Sequence, residues 1–246
     1  ANHLLRAGIV AMRDCAETLH REQSLVSMED RIAPVKEIFR LQGASELQEA
    51  EDRYLPNRGD DARVIVLAAS RGSELGTLTD ERPKTMVEVA GQPLLGHIIS
   101  AYNAAGLKRI SVVRGYCADA INLQGISYVD NVDFADSGEL LSLKCALDAD
   151  DEDERDIYIS FGDVLFSRFI IDNLADYDEG VVLAVDTDWQ ESVNQGRPAD
   201  YVRCSEPNSR RAFNSQVLLT AAGEDLAEDA IHGEWMGVMR VAAAAV

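Results

Sequence analysis

A three-layer α/β/α domain around a mostly parallel sheet is predicted by two features of this 246-residue chain. From residue 63 onward, hydrophobic segments of strand length alternate with segments of helix length, the order that builds parallel sheets with crossover helices. The first strand-length segment, Val64-Ile-Val-Leu67, shows no polar alternation, as expected of a strand covered on both faces.

Ahead of that strand, residues 4–19 and 28–41 carry apolar residues at helical spacing, with Ser27 as an N-cap and acidic side chains in the following turn. Two or three short helices enclose little apolar area, and a chain of under about 40 residues rarely folds alone. Residues 1–56 are therefore expected to belong to something larger. Asn57-Arg-Gly-Asp-Asp61 has linker chemistry, giving a linker over 57–62 and a main domain over 63–246. Within that domain a loop over 68–79 and the pair Pro83-Lys84 precede a second short strand. Residues 93–105 read as a helix begun by proline and ended by Gly106, and 109–114 as a strand. A helix over 137–147 and strands over 156–161 and 181–185 follow. The acidic run 148–156 reads as an exposed turn, without the spacing of a calcium loop.

The loop after Leu67 carries the chemistry. Parallel sheets bind ligands at the carboxyl ends of their strands, which is where this loop falls. Its small residues, Ala68, Ala69, Ser70 and Gly72, allow a polyphosphate to approach backbone N–H groups. Lys84 adds a mobile point charge after Pro83, so the segment reads as a pocket for a nucleoside triphosphate. A Gly-x-x-x-x-Gly-Lys-Ser/Thr string is absent, and no Gly-x-Gly-x-x-Gly follows the first strand. Neither a P-loop kinase nor a nicotinamide or flavin enzyme is expected.

The string from Val64 to Leu95 resembles the sugar-phosphate and choline-phosphate nucleotidyltransferases, whose first strand runs into a Leu-Ala-Ala-Gly loop and then Pro-Lys. Within that superfamily the chain is most similar to the cytidylyltransferases of phosphonate biosynthesis. The strings that carry the likeness include Val112-Val-Arg-Gly-Tyr116, Tyr128-Val-Asp-Asn131 and Asp136-Ser-Gly-Glu-Leu-Leu-Ser-Leu143. Phe161-Gly-Asp-Val-Leu-Phe166, Ala184-Val-Asp-Thr-Asp-Trp189 and Gly233-Glu-Trp-Met-Gly237 continue it in order. Two positions depart from the pattern: Ser70 replaces the first loop glycine, and Glu74 stands where an arginine usually meets the triphosphate. Either Arg71 takes over that role or Glu74 points away. The N-terminal strings Ala1-Asn-His-Leu-Leu-Arg-Ala-Gly8 and Val35-Lys-Glu-Ile-Phe-Arg-Leu41 resemble the last helices of a phosphoenolpyruvate mutase barrel. The chain thus reads as a fragment, with an incomplete mutase end over 1–56 and a C-terminally truncated transferase over 63–246.

The resemblance implies transfer of CMP from CTP to a small phosphonate such as 2-aminoethylphosphonate, with Mg²⁺ as cofactor. It makes Lys84, Asp163 and Arg71 the catalytic candidates. Asp163 follows the strand Ile157-Tyr-Ile-Ser-Phe161 and would ligate the metal, with Asp186 or Asp188 as the second carboxylate and Glu234 third. Nucleotide contacts fall to Leu67, Ala68, Ala69, Ser70, Gly72, Arg114, Ser137, Glu139 and Ser142. Ser137 also reads as a helix N-cap, and Arg114 with Tyr116 as a packed turn. Asp186, Trp189, Glu234 and Trp235 are acceptor-site candidates, although both tryptophans equally suit a core. A sugar-phosphate or phosphocholine acceptor, or an inactive nucleotide-binding domain, would fit the same chain less well.

Apolar residues make up 46% of the sequence, enough for a packed core. With 43 acidic against 23 basic residues the formal net charge is −20, which opposes binding to nucleic acid or anionic membrane. The cysteines at 15, 117, 145 and 204 form no Cys-x-x-Cys pair, and the histidines at 3, 20, 97 and 232 show no metal spacing. A cytoplasmic enzyme with reduced thiols is expected.

Overall fold

The structure is a computed structural model that describes residues 62–150, 155–177, 180–191, 199–208 and 217–245. The helices and linker expected before Ala62 lie outside the described residues. Strand β1 (Ala62–Ala68) is followed by β2 (Glu88–Val89), β3 (Gln92–Pro93), helix α1 (Leu94–Ala104), β4 (Ile110–Arg114) and β5 (Ser127–Asp130). Helix α2 (Glu139–Asp148), β6 (Asp156–Phe161), α3 (Arg168–Ala175) and β7 (Val181–Asp186) continue the order, which closes with β8 (Tyr201–Cys204), β9 (Leu219–Ala222) and β10 (Gly233–Val241).

The central sheet runs β5-β4-β1-β6 with every pairing parallel, and β10 then lies antiparallel to β6. Strands β7 and β8 both pair antiparallel with β10, and β9 pairs antiparallel with β8. Six strands of the eight (β1, β4, β5, β6, β7 and β8) therefore share one direction and two (β9 and β10) oppose it. This is the mostly parallel α/β sheet that the alternation predicts.

Period-two alternation along β1 creates the layers. Val64, Val66 and Ala68 pack with Leu95, Ile98 and Tyr102 of α1 and with Ile171 and Leu174 of α3. Ile65 and Ala69 face the other way, onto Ala146 of α2, with Leu143 and Leu147 packed against them. Both faces of β1 are thus buried, which is why its sequence needs no polar alternation. Val64, Val66, Leu95 and Tyr102 have no exposure at all, and each of the three aliphatic side chains contributes on the order of 1.5–3 kcal/mol by burial.

Most boundaries fall within two residues of the expected ones. Helix α1 takes Pro93 as its N-cap and ends before Gly106, whose φ of 85° is a left-handed conformation that glycine adopts freely. Helix α2 starts at Glu139 rather than Ser137, with Gly138 as N-cap and no side-chain capping bond. Ser137 is not the cap because its hydroxyl is engaged by Asn131 instead. The acidic run is more than an exposed turn: Asp150 pairs with the buried Arg63 at 3.4 Å, and Asp156 accepts from Arg240 at 2.9 Å. Buried guanidinium groups need such partners. Strand β10 is long and was not expected; a register shift between Trp235 and Met239, with Gly237 at φ 70°, interrupts its alternation.

Strands β1 and β6 end side by side. Leu67 is in register with Phe161, and the Gly162 N–H donates to the Leu67 carbonyl at 2.8 Å. The small-residue loop and the turn carrying Asp163 consequently leave the sheet at one edge.

Candidate active site

A cleft of about 720 Å³ opens at that edge. Its floor is the end of β1 and the start of the loop, from Leu67 through Ser70, together with Phe161, Gly162 and Asp163 from β6. Lys84 forms one wall. It begins a single 3-10 turn, Lys84–Met86, after Pro83 in an extended conformation, and its N–H donates to the Arg71 carbonyl at 3.0 Å. Gly72 makes this approach possible: at φ 72° it is left-handed, and a Cβ there would fall 2.6 Å from the Lys84 Cβ. Gly162 does the same beneath Asp163, since a Cβ would lie 3.0 Å from the Leu67 carbonyl oxygen and from the Ala68 Cβ.

The Lys84 ammonium donates to Glu74 at 2.7 Å and pairs with Asp163 at 2.9 Å. Partial burial works against the charge, but hydrogen bonds and attraction from both carboxylates outweigh it and hold the Lys84 pKa above the ordinary lysine value. The hydrogen bond from Lys84, with one from its own backbone N–H, holds the Glu74 carboxyl below the usual range. Glu74 is thus tied to the lysine. Arg71 lies outside the cleft lining, where its guanidinium pairs with Asp80 at 2.7 Å and lies 5.4 Å from the Tyr116 ring centroid.

The opposite wall holds Ser137, Glu139 and Ser142 together with Phe134 and Gly138. Buried Asn131 donates to the hydroxyls of Ser137 and Ser142 at 3.0 Å each. The remaining wall comes from β7, β10 and the residue before β8. Asp186 and Glu234 are register partners there, joined by Asp200 and Trp235. Trp235 packs edge-on to Phe161 at 5.1 Å, and its indole N–H donates to the Val238 carbonyl at 3.1 Å. Asp186 accepts from the Asp188 N–H at 2.9 Å.

The structure thus gathers Lys84 and Asp163 with the Leu67–Ser70 segment, the two serines, Glu139, Asp186, Glu234 and Trp235 around one space. Five candidates stand apart from the cleft lining, Asp188 among them. Besides Arg71 and Gly72, Arg114 is held by Asp130 at 2.8 and 3.1 Å and lies 4.3 Å from the Tyr128 ring centroid. Trp189 packs edge-on to Tyr201 at 4.9 Å. Sequence reasoning gave no role to Thr85, Phe134, Asp200 or Asn131. Thr85 could have been found beside Lys84, whereas Asp200 is preceded by no local motif and arrives by pairing of β8 with β10.

Five carboxylates border the cleft, from Glu139, Asp163, Asp186, Asp200 and Glu234, and Lys84 is the one cationic side chain among the described residues lining it. A divalent cation would offset the charge of a triphosphate entering that field. Among the described residues no group of three or more His, Cys, Asp or Glu is poised to hold a metal alone. One or two carboxylates completed by substrate phosphates is the usual provision for Mg²⁺, so Asp163 and Asp186 fit that ion.

A model of the MobA-like NTP transferase domain matches residues 64–222. The chain belongs to that family. The matched region of this MobA-like chain holds β1, the loop, Lys84, the two serines, Asp163 and Asp186. It is 32% identical over 130 residues to a CMP-5'-(3-aminopropyl)phosphonate synthase of Streptomyces rubellomurinus, covering 50% of this chain and 20% of that protein. A stretch of 55 residues is 46% identical to a phosphoenolpyruvate phosphomutase of Tetrahymena pyriformis, covering 22% of this chain and 18% of the other. The chain therefore spans only about a fifth of the length of these relatives. The fold matches the inositol-1-phosphate CTP transferase of T. maritima at a TM-score of 0.57 and 21% identity, over 73% of this chain and 70% of that one. Among the described residues no helix is long and apolar enough to cross a membrane.

Proposed function

We propose that this chain transfers CMP from CTP to a small phosphonate such as 2-aminoethylphosphonate and releases pyrophosphate, as the transferase portion of a protein that also carries a phosphoenolpyruvate mutase. The observation that carries this reading is the 2.9 Å approach of Lys84 to Asp163 in a cleft floored by the small-residue loop. The likeness to a phosphonate CMP transferase and to a phosphomutase supports the acceptor and the fusion.

A phosphonate oxygen attacks the α-phosphorus in line, the new P–O bond forms, and the bond to the β-phosphate breaks with its electron pair leaving on pyrophosphate. The attacking group is already an anion, so positioning and charge neutralisation supply most of the catalysis. Lys84 faces the phosphates, and the backbone N–H groups from Ala68 to Ser70 bind their oxygens. Asp163 and Asp186 would hold Mg²⁺, whose charge offsets that of the triphosphate. Trp235 with the carboxylates of Asp200 and Glu234 suits an aminoalkyl cation.

The test is pyrophosphate release by the full chain with CTP, Mg²⁺ and a panel of acceptors comprising 2-aminoethylphosphonate, phosphocholine and glucose 1-phosphate. Turnover should require CTP and the phosphonate and should vanish on adding EDTA. Faster turnover with either phosphate ester, or none with phosphonates, would overturn the assignment.

A further inference from the structure

Asn131 follows the last residue of β5, is 2% exposed, and its side chain makes three hydrogen bonds. Its Oδ1 accepts the Asp133 N–H at 3.1 Å, and its Nδ2 donates to the Ser137 and Ser142 hydroxyls. The backbone N–H of Asp133 settles which end of the amide is oxygen, because a rotated side chain would set two donors against each other. Both amide protons are therefore spent on the two serines.

This fixes what the serines can offer. Each hydroxyl has one proton to donate and lone pairs to accept with. Asn131 occupies an acceptor position on each, and among the described residues neither hydroxyl proton has a protein acceptor. Both serines line the cleft. The two O–H groups are accordingly poised as paired donors toward whatever lies between the walls.

We propose that Asn131 is a positioning residue that sets base choice, by holding Ser137 and Ser142 as a donor pair for a nucleobase edge with two adjacent acceptors. Cytosine presents that edge at O2 and N3. Uracil carries a proton at N3, so it would meet a donor with a donor and leave a hydroxyl proton without a partner. Polar sites built this way discriminate strongly, because the wrong ligand strands a buried group. The inference rests on the proposed use of CTP.

The experiment compares binding of CTP and UTP, with Mg²⁺, by titration calorimetry on the full chain and on Asn131→Asp, Ser137→Ala and Ser142→Ala. A carboxylate at 131 can only accept, so it draws both hydroxyl protons inward and turns the serine lone pairs to the cleft. Wild type should prefer CTP, and Asn131→Asp should erode the CTP:UTP affinity ratio by about tenfold or more, mainly by weakening CTP. The serine variant that removes the donor to N3 should weaken CTP with little change for UTP, while the one that removes the donor to the shared O2 should weaken both, which keeps the test intact if Asn131→Asp fails to fold. Parallel loss of both nucleotides in every folded variant would mean a structural role only and overturn the inference alone. Wild-type protein that binds neither nucleotide would overturn the proposed function and this inference with it.

Discussion

Lys84 is clasped between Glu74 and Asp163, so its charge is secured while its freedom to act as a base is removed. A folded pKa above the unfolded value of about 10.4 means that the clasp's contribution to stability is complete below that pH and is lost as pH rises through the folded value. At neutral pH the side chain is a cation, suited to neutralising phosphate. Titration of the Lys84 methylene resonances by NMR should give a midpoint above about 10.4, and Asp163→Asn should lower it. Lys84→Ala should reduce the kcat of pyrophosphate release by about 10²–10³-fold, by analogy with removal of one preorganised donor, and should lower the Tm only slightly, because the lost clasp is a partly exposed ion pair. A midpoint that ignores Asp163 would show that the two groups are apart in solution.

Between the two halves of this site lies the contact of two strand ends. Gly162 allows the β6 exit to press against Leu67 and Ala68, and that closeness carries Asp163 to the lysine. Gly162→Ala should push the turn outward. It is expected to cost about 1–3 kcal/mol in urea unfolding and to lower kcat/KM by about 10²-fold, since misplacement by roughly 1 Å has that effect on oriented groups. A variant with wild-type kcat/KM would mean that the cleft does not depend on this contact. At the level of elements, strands β1, β4 and β6 were legible because burial on both faces leaves short, largely apolar segments, broken by Ser111 in β4 and Ser160 in β6. Strand β10 was not, because its bulge at Gly237 destroys the period that sequence reading relies on.

Across the whole molecule, the net charge of −20 must be reconciled with an anionic ligand. Among the described residues the arginines do not do it at the cleft. Arg63, Arg71, Arg109, Arg114 and Arg240 each pair with an aspartate outside its lining. Arg240 is the best buried of those joining distant segments after Arg63: it binds Asp156 and also donates to the Tyr177 carbonyl, while Asp156 accepts the Ala243 N–H at 2.9 Å. This tie lies at the opposite end of β6 from Asp163. Arg240→Met should lower the unfolding free energy by about 1.5–3 kcal/mol and leave the KM for CTP unchanged. A shifted KM would show that the far end of the sheet communicates with the cleft.

Local chemistry in the sequence determined the layered α/β class, the small-residue loop after Leu67, and the identity of Lys84 and Asp163 as the groups to watch. Those features are written in contiguous residues: an apolar run, a string of small side chains, a Pro-Lys pair and a Gly-Asp turn. Tertiary structure alone decided which charges line the cleft. Arg71, Arg114 and Glu74 had the right chemistry for phosphate or its rejection, and folding gave each a partner distant in sequence. Asn131 and Asp200 gained their places by strand pairing and loop closure, and hydrogen bonds between residues far apart in the chain leave no periodic trace in it.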